Sequence, residues 1–123
     1  MRLVKSFTKS IHHTLGTTLE DRAYFFKKLY NEIANQSVSR ERYLDVGAAR
    51  TINARVFGEG FKEIYCLDIN FDQQQDSKIP FITGDAQMLP LKGNTVDLLS
   101  LFSVIEHLPA PQKALSEAVR VLR

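Results

Sequence analysis

Three short runs in this sequence combine an acid with small residues in the manner of a ligand-binding turn: Asp45-Val46-Gly47-Ala48-Ala49, Cys66-Leu67-Asp68-Ile69-Asn70 and Thr83-Gly84-Asp85-Ala86-Gln87. Each follows an apolar stretch, so each acid stands at the end of a segment that otherwise favours burial. A carboxylate there can accept hydrogen bonds from hydroxyl or amino groups, and the small residues let backbone come close to a ligand. Asp68 is the sharpest candidate. It follows the first turn by roughly 20 residues, the separation at which an acid can accept both hydroxyls of a nucleoside ribose, which suits an adenosine-bearing cofactor. Asp85 in a Gly-Asp pair is also a common turn former, and Asp45 is also a fitting helix-capping acid. An acid ending an apolar strand, as Asp68 does, has no comparable folding reason. Further along, Glu106-His107 has the chemistry of a general base or of part of a metal site, and serves equally well to orient the loop before the last helix. His12 and His13 read as surface residues.

These groups need elements to hold them. Thr17 and Thr18 precede an amphipathic pattern, with Asp21 completing a capping-box spacing and Leu19, Ala23, Phe26, Leu29, Tyr30 and Ile33 forming one apolar stripe, which predicts a helix over about 19–35. From there strands and helices alternate. Tyr43–Val46 reads as a strand, 51–57 as a short helix stopped by Gly58 and Gly60, 63–68 as a strand and 80–83 as a short strand. The nearly continuous apolar run Val96 to Val104 predicts a parallel strand covered on both faces. Pro109 and Pro111 introduce a helix over 112–123, with Ala114, Leu115, Ala118, Val119 and Leu122 at helical spacing. Such alternation predicts a right-handed parallel α/β sheet, in which ligands bind beyond the carboxyl ends of the strands.

Composition narrows the class. With 123 residues, 44% hydrophobic and 24% charged, the chain is ordinary for one globular domain. No apolar run approaches the roughly 20 residues of a membrane span, and no secretory signal is evident, so a cytoplasmic protein is expected. The single cysteine, Cys66, excludes an internal disulfide framework and a multi-cysteine metal site. A net charge of +2 is too small to imply a nucleic-acid partner. Residues 1–18 form a separate basic segment, in which Arg2, Lys5 and Lys9 interleave with apolar residues; it reads as a frayed or docking helix rather than a membrane or targeting element.

The run Gly84 to Leu99, followed by Val104-Ile105-Glu106-His107-Leu108-Pro109, Ala114-Leu115 and Arg120-Val121-Leu122, resembles the central segment of small-molecule-type class I S-adenosylmethionine-dependent methyltransferases, over about 43–123. The resemblance implies a Rossmann-like doubly wound parallel sheet, here the first four strands of a seven-stranded fold, with the domain at 19–123 incomplete at its C-terminus. It implies S-adenosyl-L-methionine as cofactor and a small-molecule methyl acceptor as partner. By resemblance Asp45, Gly47 and Ala49 belong to the turn beside the methionine part of the cofactor. Asp68 holds the ribose hydroxyls, Ile69 packs on the adenine, Asp85 accepts from the adenine amino group and Ala86 offers its backbone amide. Phe102 and Ser103 line the sulfonium and substrate side, and Glu106 and His107 are the catalytic candidates.

The family's loop reads acid-x-Gly-x-Gly-x-Gly, whereas Ala49 and Thr51 stand at the second and third glycines; Thr51 has the side chain to cap the next helix, and Arg50 has the charge to meet the cofactor's carboxylate. Relatives that bind a divalent ion carry a glutamate where this chain has Ser103, so no metal is expected. A chain ending after the fourth strand leaves Leu98 to Val104 as an apolar edge open to self-association or to a partner. Enzymatic methyl transfer is therefore weighed against a non-catalytic methyltransferase-like module. A nicotinamide-dependent dehydrogenase is disfavoured by the absence of Gly-x-Gly-x-x-Gly.

Overall fold

A computed structural model describes residues 39–48, 52–70 and 78–123, with scattered positions between 25 and 36. The basic segment 1–18 and the loop positions Ala49, Arg50 and Thr51 lie outside the described residues, as does most of the expected 19–35 helix. Within that stretch Phe25, Lys28, Leu29, Asn31 and Glu32 are helical. The chain divides into two compact units, 1–37 and 38–123, and the second carries the site.

Its frame is a four-stranded parallel sheet built from β1 (Arg42–Val46), β2 (Glu63–Asp68), β3 (Phe81–Thr83) and β4 (Leu98–Ser100), in the spatial order β3-β2-β1-β4. This is the strand order of the first half of a Rossmann-like methyltransferase fold, with the order reversing between β1 and β4. Among the described residues of this unit two helices complete the frame, α1 (Ile52–Phe57) and α2 (Pro111–Val121), with a single 3-10 turn at Ile105–His107.

Alternation along β1 sorts the core into two faces. Leu44 and Val46, with Leu67 of β2, pack against Ala86, Leu89 and Val96 of the loop before β4 and against Ala114 and Val121 of α2. Tyr43, Asp45 and Cys66 are buried too, and α1, whose Ala54 and Phe57 are buried, packs on β1 and β2. Helix α2 starts on Pro111, whose fixed φ suits a first helical position. Small residues at 114 and 118 bring it close, and Glu117 and Arg120 tie it to the β3–β4 loop. The Glu117 carboxylate accepts the Leu89 N–H at 2.8 Å, while Arg120 donates to the carbonyls of Leu89 and Leu91.

The apolar run 96–104 is only partly a strand. Regular pairing with β1 covers Leu98–Ser100, and the chain then turns, with Ser103 at φ +55°. Phe102 and Val104 are apolar because they pack out of the turn, Phe102 on the ring of Phe57 and Val104 over Gly47. Beyond α2 the chain is extended at Leu122, which forms an isolated parallel bridge with Val96. Among the described residues no helix is long and apolar enough to cross a membrane.

Candidate functional site

The carboxyl ends of three strands open into one cleft of about 520 Å³. The end of β1 contributes Val46 and Gly47, that of β2 contributes Leu67, Asp68 and Ile69, and that of β3 runs into Gly84–Gln87; Ser103, Val104 and the segment 107–109 close the far side. Parallel strands bring residues distant in sequence to a common rim, because every crossover returns the chain to the same starting edge.

Gly47 decides the shape of the floor. Its φ of +76° belongs to the left-handed region, and a Cβ built there would lie 1.8 Å from Val104 Cγ2. A side chain at 47 therefore meets both backbone strain and an occupied space. The N–H groups of Gly47 and Ala48 both donate to the Leu67 carbonyl, at 2.7 and 3.1 Å, locking the turn to the end of β2. Gly84 N–H donates in the same way to the Asp68 carbonyl at 2.9 Å, which ties the third turn to the second.

The two acids at the rim are held by their own turns. Asp68 Oδ1 accepts the N–H of Asn70 at 3.0 Å. Asp85 Oδ1 accepts the backbone N–H of Gln87 at 2.8 Å, and Gln87 Oε1 in turn accepts the Ala110 N–H at the start of α2. The turn-forming habit of a Gly-Asp pair and a place in the cleft are thus both present at Asp85. Ile69 is 65% exposed at the rim, an apolar plate beside Asp68 that nothing in the fold requires to be there.

Below the rim, Asp45 is 1% exposed. Its Oδ1 accepts the Ser100 hydroxyl at 2.6 Å, and Ser100 Oγ lies 2.7 Å from the Tyr43 hydroxyl. Oδ2 has no hydrogen-bond partner among the described residues. Burial raises the Asp45 pKa from its ordinary 3.8 to about 6, partly opposed by the Ser100 hydrogen bond, with the charge of Asp68 adding to the rise. Burial, followed by the charge of Asp45, likewise lifts the Tyr43 phenol above its ordinary range, so it stays protonated.

Of the residues singled out in the sequence, Gly47, Asp68, Ile69, Asp85, Ala86, Ser103 and His107 line this cleft together. Asp45 sits beneath it. Phe102 is stacked on Phe57 with ring centroids 5.1 Å apart and is not among the lining residues; neither is Glu106, which is solvent-exposed in the 3-10 turn. Ala49 lies outside the described residues. Sequence reasoning passed over Ser100, Tyr43 and Val104. Ser100 carried a signal: it is the one polar residue between Leu98 and Phe102.

The sequence profile of the methyltransferase-domain family matches residues 44–123. The chain belongs to this family, the class I S-adenosylmethionine-dependent methyltransferases. It is 28% identical over 92 residues to a demethylmenaquinone methyltransferase of Renibacterium salmoninarum, a match covering 71% of this chain and 39% of that protein. It is 41% identical over 51 residues to the ubiquinone/menaquinone biosynthesis C-methyltransferase UbiE of a Ruegeria species, covering 42% of this chain and 20% of that one. In fold it resembles the YcgJ protein of Bacillus subtilis, with a TM-score of 0.66 and 19% identity over 82% of this chain and 47% of that structure. The chain thus spans less than half the length of these curated relatives.

Proposed function

We propose that the cleft binds S-adenosyl-L-methionine and that the protein transfers its methyl group to a small-molecule acceptor. The observation that carries this reading is the convergence of Gly47, Asp68 and Asp85, from three separate strand ends, on one cleft. The fit is physical as well as positional. Gly47 leaves no room for a Cβ and so keeps the floor flat, and the buried oxygen of Asp45 lacks a partner among the described residues. An adenosine with a charged amino-acid tail offers complements to both ends of such a site.

When bound, the cofactor supplies a methyl group already activated on a sulfonium. Asp68 accepts the ribose hydroxyls, Ile69 covers the adenine, and Asp85 with the Ala86 amide reads the adenine edge. Asp45 and Gly47, with Ala49 of the adjoining loop, flank the methionine part; Ser103, with Phe102 behind it, faces the acceptor side. Displacement at carbon needs reactants held in line and water excluded, and a base only where the acceptor must lose a proton. His107, which lines the cleft, is the group to serve as that base, with the exposed Glu106 beside it in the 3-10 turn. The names of the similar proteins make a demethylated quinone the first acceptor to assay.

Calorimetry with S-adenosylhomocysteine tests the reading. The wild-type chain should bind it, and Asp68→Ala should weaken binding at least about tenfold, since two charge-assisted hydrogen bonds are lost. The second reading, a non-catalytic module, is favoured by Ala49 and Thr51 standing where the family has glycines. Binding without turnover on any acceptor would support it, and absence of binding would end the first.

A further inference from the structure

The buried group at the end of β1 is half satisfied, and the way it is satisfied has a direction. An ionised carboxylate only accepts hydrogen bonds, so Ser100 must give its one hydroxyl proton to Asp45 Oδ1. Ser100 Oγ is then left as an acceptor, and the Tyr43 hydroxyl must donate to it. The order Tyr43 to Ser100 to Asp45 is forced. All three side chains are buried, and the sheet register sets Asp45 directly opposite Ser100 while Tyr43 lies two residues before Asp45 on the same face. The chain of bonds therefore runs across two strands and fixes one oxygen of the carboxylate while leaving Oδ2 without a partner among the described residues.

Among the described residues, the charged and titratable groups around Oδ2 make it a place for a cation. Asp68, at the end of β2, is close enough for its charge to raise the Asp45 pKa; Tyr43 is neutral, and Cys66, paired with Asp45 across β1 and β2, is a buried thiol. Helix α1 carries Arg55, which is exposed. Among the described residues a second anion nearby and a protonated phenol beneath add no positive charge, so a cationic ligand group gains from both carboxylates at once.

We propose that Ser100 and Tyr43 are positioning residues: they hold Asp45 so that Oδ2 is reserved for the positively charged amino group of the bound cofactor, which makes recognition of the amino-acid tail separable from recognition of the adenosine. The inference rests on the cofactor reading above. It assigns to Tyr43 of β1 and Ser100 of β4 a part in binding that neither would have through direct contact, and it makes tail recognition dependent on the ionisation of Asp45.

Two probes that share the adenosine thioether separate the parts: S-adenosylhomocysteine carries the amino-acid tail, and 5′-methylthioadenosine does not. Their affinities for the full chain are measured by calorimetry at about pH 7.5 and about pH 5, on either side of the Asp45 pKa of about 6. The wild type should prefer S-adenosylhomocysteine at the higher pH and lose most of that preference at the lower one. Ser100→Ala and Tyr43→Phe should each reduce the preference at the higher pH, by about tenfold for Ser100→Ala, with methylthioadenosine binding unchanged. Ser100→Thr, which restores a hydroxyl, should recover it. Tyr43→Phe keeps the ring and guards against a Ser100→Ala chain that fails to fold. A preference that ignores pH, or that survives both substitutions, overturns the inference while leaving cofactor binding intact. Failure of the wild type to bind either probe overturns the cofactor reading and this inference with it.

Discussion

Two aspartates are buried at opposite ends of the same sheet, and they are treated in opposite ways. Asp97, just before β4, has a side chain 2% exposed, yet its bonding capacity is used: Oδ2 accepts the N–H groups of Glu41 and Arg42 at 3.1 and 2.8 Å, and Oδ1 meets the Arg123 guanidinium at 3.3 Å. Asp45, at the carboxyl end of β1, has a single neutral donor and an oxygen without a partner among the described residues. One carboxylate is compensated by the fold and holds β1 to β4. The other has no such compensation among the described residues. A buried, incompletely bonded charge weakens a protein unless a ligand completes it, so the difference supports the proposed reading, in which the unsaturated end of the sheet is the one that binds.

The largest effect should come from altering the binding end by one methyl group. Gly47→Ala places a non-glycine residue at φ +76° and a Cβ 1.8 Å from Val104 Cγ2, so backbone strain and overpacking together should cost about 3 kcal/mol in chemical denaturation and abolish S-adenosylhomocysteine binding. Full stability with intact binding would show that the floor is not built as described. Next, Asp97→Ala strips the half-buried N–H groups of Glu41 and Arg42 of their acceptor and leaves Arg123 without its carboxylate; a loss of about 2 kcal/mol is expected, with adenosine-ligand affinity of the folded fraction unchanged. A comparable loss of ligand affinity would erase the distinction between the two ends.

The mirror experiment has the opposite sign. The folded pKa of Asp45, about 6, exceeds the ordinary 3.8, so between these values the folded chain retains a proton that the unfolded chain has released. Stability associated with Asp45 is therefore fully present below about pH 3.8 and is lost as pH rises through about 6. Asp45→Asn removes that loss. A tenfold difference in proton affinity between folded and unfolded chains is worth about 1.4 kcal/mol, so the rise from 3.8 to about 6 means that the substitution should stabilise the ligand-free protein by up to about 3 kcal/mol near pH 7.5. Near pH 3, below both values, it should change almost nothing, as read from denaturation midpoints across that range. Destabilisation at neutral pH would mean that the charge is compensated after all.

Much of this arrangement was legible in the chain. Apolar runs ending in Asp45, Asp68 and Asp85 announced parallel strands with polar tips, and the small residues beside them announced turns that let backbone approach a ligand. The four strands appear in the expected sequence order, with β1 one residue longer and β3 one shorter than read. What the pattern misplaced was the extent of β4. An apolar run is the mark of burial, not of extension, and Phe102 and Val104 are apolar to fill a turn against Phe57 and Gly47.

Family membership, the alternation of strands and helices, and the acids at the strand tips follow from residue order alone, because periodicity and local turn chemistry act over a few positions. The pairing of Asp45 with Ser100, 55 residues away, does not. Neither does the closeness of Val104 to Gly47, nor the contrast between a saturated and an unsaturated carboxylate. Those depend on strand order and register, which place side chains from distant segments within bonding distance, and a one-residue slip would send Ser100 to the other face of the sheet.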